Sequence, residues 1–342
     1  MNNKFLKALL IILIIYVACL PLSGCTKTTH VFAFGTECQI YSNNISTSKI
    51  RELTSYIEKT DSLLSQTELS SDIQKINSAK ANDVISIDKI TFELLYLSKQ
   101  LYEFNHSFNP AIYPIVELWG FDPNTYISGV SPKTIPAPSQ ISETLNYCNF
   151  DYFELNSDNL TVTKNISEAK LDLGAIAKGF VCEEVFAKLK QDRSAVVDIG
   201  GTLKTNNDIH VHVINPIKDN TSQPFAAKFK LNKGMATATS GDYHRFYFVD
   251  DIKYHHIINS EGFPAGLDES NAIISATIIG KNATICDYLS TLIFILGDTE
   301  NSESLLDEFE CSALLFRKNF SYTIIGNIEN FNLLDTRYVR NN

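Results

Sequence analysis

The segment LDLGAIAKGF occupies residues 171–180 and changes character halfway along. A short apolar run with the pattern of a strand meets Gly174 and then continues as a predicted helix. The free N–H groups at the start of a helix, with Lys178 one turn in, would suit a phosphate group. A routine strand-to-helix connection with a solvated lysine explains the same pattern, so this segment alone leaves both interpretations open.

Two further segments place small or hydroxyl-bearing residues after predicted strands. The run VVDIGG ends in paired glycines at 200–201, which allow a positive φ and a close approach of the backbone to a ligand. The run ATATSGDYHR, residues 236–245, offers hydroxyls such as that of Ser240 to ligand hydroxyls or phosphates. An ordinary turn remains the alternative for each segment.

Histidine and carboxylate side chains supply the candidate reactive groups. His255 and His256 are adjacent on a predicted strand, so they point to opposite faces and at most one of them faces a ligand. Asp287 and Thr291 are four residues apart on a predicted helix and therefore share one face. Their oxygens suit a hard cation such as Mg²⁺. Support of the first helical turn by the carboxylate is the simpler alternative.

Strands and helices are interspersed without regular βαβ spacing, which predicts an α+β fold with largely antiparallel sheet. No GxGxxG or phosphate-binding P-loop motif occurs in the sequence. A segment rich in Pro, Ser, Thr and Gly at 122–138 predicts a surface loop. Helices are predicted at 47–65, 89–104, 174–190 and 281–296, and strands at 31–41, 151–155, 160–163, 194–199, 209–214, 226–231, 246–250, 254–258 and 271–279.

Composition excludes some classes of partner and site. The formal net charge of -10 over 342 residues argues against a nucleic-acid partner, because a phosphate backbone requires a basic face. The sequence has seven cysteines but no CxxC pair, so a structural zinc site is not expected. The five cysteines beyond Cys25 are predicted to be buried free thiols.

The N-terminus has the pattern of an export signal. Lys4 and Lys7 precede an apolar run at 8–20, and the sequence LSGC at 22–25 then resembles a bacterial lipobox. We therefore expect a lipoprotein signal peptide at 1–24, a lipid-modified Cys25 and one domain at 25–342. Acyl chains would hold that domain at the extracytoplasmic face of the cell membrane. A plain secretory signal with a coincidental cysteine is the alternative.

The order of these motifs resembles that of the ApbE family of FAD:protein FMN transferases over nearly the whole mature chain. Many members of that family are also lipoproteins. The matching motifs are Phe34-Gly35-Thr36, Ser71-Asp72-Ile73 with Ile76-Asn77, Phe108-Asn109-Pro110, Pro114, Leu118-Trp119-Gly120-Phe121, Leu171–Gly179, Ile199-Gly200-Gly201, Thr239-Ser240-Gly241-Asp242-Tyr243, His256-Ile257-Ile258, Gly262-Phe263-Pro264 and Asp287–Thr291.

The resemblance implies a fold and a set of site residues. The fold would be α+β, with two interlocked lobes and FAD in the cleft between them. His256, Lys178 and Asp287 would be the catalytic residues, and Ser240 of the hydroxyl-rich run is expected to join the FAD site. The FAD-binding residues implied are Phe34, Thr67, Trp119, Gly120, Phe121, Asp172, Lys178 and Ile258, and the implied Mg²⁺ ligands are the Ala175 carbonyl, Asp287, Thr291 and Ser290.

The implied reaction transfers the FMN half of FAD to a threonine or serine of a target protein and releases AMP. The target would be a subunit of a membrane redox complex, such as a sodium-pumping NADH:quinone reductase or a related flavoprotein. Two other functions fit the same sequence: a Mg²⁺-dependent FAD pyrophosphatase with water as nucleophile, and a non-catalytic lipoprotein that binds FAD.

Six residues depart from the family pattern. Asn259-Ser260 stands where Asp-Pro is common, and Thr67 stands where many members have tyrosine. Asp198 and Thr202 flank the paired glycines where Asn and Asp are more usual. Ser290 takes a place where some members have a third acidic ligand.

Overall fold

A computed structural model describes residues 27–341, except positions 44, 190, 191, 193, 220–222 and 268. The predicted signal peptide at 1–24 and the predicted lipidation site Cys25 therefore lie outside the described residues. The helices are α1 (Thr47–Leu64), α2 (Asp72–Ser78), α3 (Lys89–Phe104), α4 (Tyr113–Leu118), α5 (Pro138–Leu145), α6 (Ala177–Ala187), α7 (Ala283–Leu296) and α8 (Glu300–Glu308). The strands are β1 (Lys27–Ala33), β2 (Thr36–Ser42), β3 (Asp83–Ser86), β4 (Phe153–Asn156), β5 (Thr161–Lys164), β6 (Val196–Ile199), β7 (Thr202–Thr205), β8 (Ile209–Ile214), β9 (Phe225–Leu231), β10 (Ala236–Gly241), β11 (Phe246–Val249), β12 (Ile252–His255), β13 (Ile273–Gly280), β14 (Ser312–Arg317), β15 (Ser321–Ile325), β16 (Asn332–Leu333) and β17 (Val339–Arg340).

The fold is α+β with largely antiparallel sheet, which confirms the predicted class. A nine-stranded sheet has the order β1-β2-β6-β7-β10-β13-β14-β15-β17, and smaller sheets are formed by β16-β9-β8, β3-β5-β4 and β11-β12. The short β15–β17 pair is parallel, whereas the central pairs β2–β6, β10–β13 and β13–β14 are antiparallel.

Three apolar clusters hold these layers together. The first packs helices α1, α3, α6 and α7 against one face of the large sheet. The second lies between the opposite face and strands β8 and β9. The third is aromatic and lies under the β11–β12 hairpin, with Trp119, Phe121, Tyr247 and Tyr254 as its largest members. Within the described part of the chain, no helix is long and apolar enough to cross a membrane.

The prediction of one strand at 31–41 was wrong, because a hairpin turn divides that segment. Ala33 pairs with Thr36, and the two residues between them have positive φ, 54° at Phe34 and 68° at Gly35. This is the geometry of a two-residue hairpin loop. Apolar alternation continues across the turn, so the pattern alone did not reveal it.

The prediction of a strand at 254–258 was also displaced. Asp250 and Asp251 have φ values of 50° and 63° and form a tight turn that pairs Val249 with Ile252. Strand β12 therefore ends at His255, and His256 follows the strand instead of lying on it. Helix α6 begins at Ala177, three residues later than predicted, because the segment before it forms a turn.

Candidate functional site

Asp287 is a buried carboxylate at the centre of the candidate site, with 3% of its surface exposed. The backbone N–H of Gly179 donates to its Oδ2 at 2.8 Å, and the Thr202 hydroxyl donates to its Oδ1 at 3.2 Å. Lys178 Nζ lies 3.6 Å from the same Oδ1. Each carboxylate oxygen is thus held by a donor, and a cation partly offsets the buried charge.

Gly179 allows the two helices that carry this group to touch. A Cβ at this position would lie 2.6 Å from both the carbonyl oxygen of Ala283 and the Cβ of Asp287. Any larger residue would therefore push α6 away from α7. Close packing of the two helices therefore explains the glycine after Lys178. The sequence pattern did not reveal this requirement.

Three hydroxyls gather where β10 packs on α7, at the helical turn that follows Asp287. Ser240 Oγ lies 2.7 Å from Ser290 Oγ and 3.0 Å from Thr291 Oγ1. The Ser290 hydroxyl also donates to the carbonyl oxygen of Asp287 at 2.8 Å. The structure thus brings the hydroxyl-rich run of β10 onto the helix face predicted from the spacing of Asp287 and Thr291.

The donor set fits a hard cation, since its side-chain groups are one carboxylate and three hydroxyls. Ala175 lies half-buried in the turn that leads into α6, next to Gly174, whose carbonyl accepts a hydrogen bond from Lys178 at 3.3 Å. Among the residues described, no group of three or more His, Cys, Asp and Glu side chains could hold a metal. A cation here would therefore depend on one carboxylate, with hydroxyls, a carbonyl and ligand oxygens completing the set.

The start of the 171–180 segment is fixed by residues from two other motifs. Asn77 accepts from the N–H of Leu171 at 2.7 Å and donates to its carbonyl at 3.0 Å. The N–H of Asp172 donates to the Pro110 carbonyl at 2.7 Å, while the Asp172 carboxylate accepts from Gly174 N–H at 2.7 Å. The side chain of Asp172 therefore shapes the turn ahead of α6.

Thr67 is exposed and lies in the loop after α1, beside the same segment. Its neighbour Gln66 donates to the carbonyl of Leu171 at 2.8 Å. The Gln66 carbonyl in turn accepts from Asn124 at 3.4 Å. The loop of Thr67 thus adjoins both the 171–180 turn and the loop that follows Trp119-Gly120-Phe121.

The paired glycines bring the first hairpin to the site. Gly200 and Gly201 have φ values of 58° and 97°, and a Cβ on Gly200 would lie 2.2 Å from Thr36 Cγ2. Phe34, half-buried in the hairpin turn, donates its N–H to Asp61 at 2.9 Å. A cavity of about 30 Å³ adjoins the glycines. Its lining also includes Thr237, Thr239, Tyr243 and His244.

Asp198 precedes the glycine pair and is buried. Its carboxylate accepts from the N–H of Gly201 at 2.8 Å. Burial nevertheless raises the pKa of Asp198 to about 6, since loss of hydration outweighs that hydrogen bond.

Trp119 and Phe121 form the floor of the aromatic cluster. Trp119 is 2% exposed, donates its indole N–H to the Gly262 carbonyl at 2.7 Å and stacks on Tyr254 at 5.5 Å. Phe121 is fully buried and stacks on Tyr247 at 5.0 Å. Their observed role is packing, and direct stacking on a flavin stays a prediction. Between them Gly120, with a φ of 74°, is half-buried. Ile258 belongs to the same cluster.

The two adjacent histidines have different surroundings. His255 is buried, and its Nε2 lies 3.0 Å from the Ala265 carbonyl oxygen. His256 is half-buried, with Nδ1 3.2 Å from the carbonyl oxygen of Arg245. A carbonyl oxygen only accepts, so Nδ1 of His256 carries the hydrogen and Nε2 keeps a lone pair. Burial, followed by the charge of Arg245, holds the pKa of His256 well below its usual range, and the ring is neutral.

Asn259, which replaces the usual aspartate, closes a turn. Its Oδ1 accepts from the N–H groups of Glu261 at 3.1 Å and Phe263 at 3.0 Å. An amide oxygen makes these bonds as a carboxylate would, so the turn does not require the missing charge.

Sequence reasoning did not assign roles to Thr202 and Arg245. Thr202 contacts Asp287, as described above, and Arg245 donates to the Phe121 carbonyl at 3.3 Å. The backbone carbonyl of Arg245 also accepts the N–H of His256 at 3.1 Å. The contacts of Thr202 with Asp287 and of Arg245 with Phe121 join segments far apart in sequence, and no local pattern predicts them.

Comparison with known proteins agrees with this geometry. Residues 34–315 match the model of the ApbE family. An FAD:protein FMN transferase of Treponema pallidum is 28% identical over 313 residues, covering 85% of this chain and 83% of the relative. An FAD:protein FMN transferase of Klebsiella pneumoniae is 27% identical over 267 residues, covering 77% and 80% respectively. The crystal structure of the ApbE protein of Thermotoga maritima superposes with a TM-score of 0.72 at 25% identity, covering 89% of this chain and 96% of that one. The chain therefore belongs to the ApbE family.

Proposed function

We propose that the chain is an FAD:protein FMN transferase that acts with Mg²⁺ on a threonine or serine hydroxyl of another protein and releases AMP. The relatives from Treponema pallidum and Klebsiella pneumoniae carry the name of that activity. The observation that supports it best is the buried carboxylate of Asp287, which lies 3.6 Å from Lys178 on the helix that also carries Ser290 and Thr291.

Lys178 and Asp287 have separate electrostatic tasks in this proposal. The FAD pyrophosphate carries negative charge that repels an incoming nucleophile, and Lys178 would offset part of it from the start of α6. Asp287, with Ser290, Thr291 and the Ala175 carbonyl, would hold Mg²⁺, which when bound supplies Lewis acidity at the phosphate oxygens. Gly179 and Thr202 fix the carboxylate before any ligand arrives.

His256 is the proposed general base. Its neutral ring has a free lone pair on Nε2, because Nδ1 is engaged by the Arg245 carbonyl. Nε2 would take the proton of the acceptor hydroxyl as that oxygen bonds to the FMN-side phosphorus. The bond from this phosphorus to the bridging oxygen breaks, and AMP leaves with the electron pair.

The N-terminal sequence supports the proposal that this reaction takes place at the membrane surface. Only Thr26 separates the proposed lipidated Cys25 from the first residue of β1. A strand of 7 residues then leads to Phe34 at the site, so an anchored enzyme would act roughly 20–25 Å from its lipid. We propose that the acceptor is a membrane redox subunit, of the kind found in sodium-pumping NADH:quinone reductases. Cys25→Ser should move the protein out of the membrane fraction, and unchanged partitioning would refute the anchor.

The reaction is tested by incubating the full chain with FAD, Mg²⁺ and a purified acceptor subunit. We expect the acceptor to gain the mass of FMN, in equal amount to the AMP released. Release of FMN and AMP without labelled acceptor would instead identify a pyrophosphatase. Binding of FAD without AMP would identify the non-catalytic alternative. Asp208→Ala, an exposed carboxylate in no proposed site, is the matched control for Asp287→Ala.

A further inference from the structure

Two buried cysteines meet beside the last residue of β13. Cys286 lies in the first turns of α7, and Cys311 immediately precedes β14. A Cβ on Gly280 would lie 2.5 Å from the sulfur of Cys311 and 3.2 Å from that of Cys286. Both thiols therefore point at one spot, and the missing side chain of Gly280 provides the room they occupy.

The two sulfurs differ in their surroundings. The neighbouring Cys286 thiol lowers the pKa of Cys311. Cys286 is fully buried and also contacts the Ala236 carbonyl at 3.7 Å. Cys311 is 7% exposed, so it is the thiol that solvent reaches first. Neither sulfur has a part in the proposed FMN transfer.

We propose that Cys286 and Cys311 form a modification site that closes to a disulfide in the presence of a disulfide oxidant. The Cys311 thiolate attacks a sulfur of the oxidant and releases one thiol. The sulfur of Cys286 then gives up its proton and displaces the second half of the oxidant from the mixed disulfide. Two electrons and two protons pass from the cysteines to the oxidant, which leaves as two thiols. An exported protein meets such oxidants, whereas cytoplasmic thiols stay reduced.

The bond would fasten the helix that carries the proposed metal ligands. Cys286 immediately precedes Asp287 on α7, and Cys311 lies at the start of a central strand of the large sheet. A cross-link between them encloses residues 286–311 and so restricts the unfolded chain. For a domain of this length we expect the melting temperature to rise by about 5 °C on oxidation.

The experiment uses the full chain, without any activity assay. Reduced protein is treated with oxidised glutathione, either folded or during refolding, and free thiols are then alkylated in denaturant. We expect a peptide that links Cys286 to Cys311, and a rise in melting temperature that a reductant reverses. Cys311→Ser should abolish both effects. Cys148→Ser, which alters a buried thiol in another cluster, should keep both.

Recovery of both cysteines in alkylated form after each treatment would overturn the proposal. So would glutathione adducts on Cys311 without the linked peptide, or a melting shift that persists in Cys311→Ser. The peptide map of the wild-type chain decides the matter even if that variant folds poorly.

Discussion

The backbone N–H of Gly179 donates to Oδ2 of Asp287 at 2.8 Å, across the contact between α6 and α7. Gly179 therefore serves two purposes. Its missing side chain lets the two helices touch, and its backbone N–H donates to the buried carboxylate.

Gly179→Ala should destabilise the protein. At most interior helix positions alanine is more stable than glycine by about 0.5–1 kcal/mol, but this position lacks room for a side chain. The added methyl would meet the Ala283 carbonyl oxygen and the Asp287 Cβ at 2.6 Å. Such overpacking costs about 1–3 kcal/mol. Denaturant unfolding measures the change, and a variant as stable as wild type would show that the helices are free to separate.

Thr202→Val should weaken Mg²⁺-dependent transfer without unfolding the chain. Valine keeps the shape of threonine but removes the hydroxyl that donates to Asp287 at 3.2 Å. Loss of a hydrogen bond that orients a metal ligand typically costs about 10–100-fold in metal affinity or activity. The Mg²⁺ concentration at half-maximal rate is the measurement. Thr202→Ser is the control that restores the hydroxyl, and equal Mg²⁺ dependence in all three proteins would exclude the role.

Asp198→Asn should stabilise the protein at neutral pH. A carboxyl whose pKa rises on folding, here to about 6, binds its proton more tightly in the folded chain. Its contribution to stability is present below about pH 4 and is lost as the pH rises through about 6. Asparagine keeps an oxygen for the Gly201 N–H and adds no charge.

The expected gain from Asp198→Asn is about 3 kcal/mol at pH 7, falling to less than about 1 kcal/mol at pH 4. Free energies of unfolding at both pH values give the difference directly. A gain that does not change with pH would mean that the carboxyl does not titrate in this range.

His256→Gln should lower kcat for transfer and leave the KM for FAD nearly unchanged. Glutamine offers a donor to the Arg245 carbonyl but cannot accept the proton of the acceptor hydroxyl. A general base contributes about 10²–10⁴-fold. Because the pKa of His256 is lowered, the wild-type rate should hold as the pH falls through the usual histidine range. A variant with wild-type kcat and an unchanged pH profile would assign the proton to another group.

Local pattern predicted helices α1, α3, α6 and α7, but it did not predict the shorter helices α2, α4, α5 and α8. Helix α1 was expected at 47–65 and runs from Thr47 to Leu64. The shared face of Asp287 and Thr291 followed from the same periodicity. Turns with positive φ at residues other than glycine, such as Phe34, were not foreseen because they leave the alternation of apolar residues intact.

Contacts between distant segments could not be predicted from the pattern. The hydrogen bond from Thr202 to Asp287 joins β7 to α7, and the pocket for Trp119 is built from the β11–β12 hairpin and Gly262. The resemblance to the family identified positions, but it did not distinguish a ligand-facing ring from a packed one. Trp119 is 2% exposed, so its side chain packs in the core. The predicted role in flavin stacking did not imply such burial.

The most direct test of the account is the rate of FMN transfer to an acceptor protein across a Mg²⁺ titration, with EDTA as the blank. We expect wild-type transfer to require Mg²⁺ and to be nearly abolished in Asp287→Ala at saturating FAD. Asp287→Asn should be almost as slow, since it keeps the shape of the side chain but loses its charge. Melting temperatures near that of wild type would show that both variants are folded. Transfer that persists in EDTA, or in folded Asp287→Ala at the wild-type rate, would contradict the proposed mechanism.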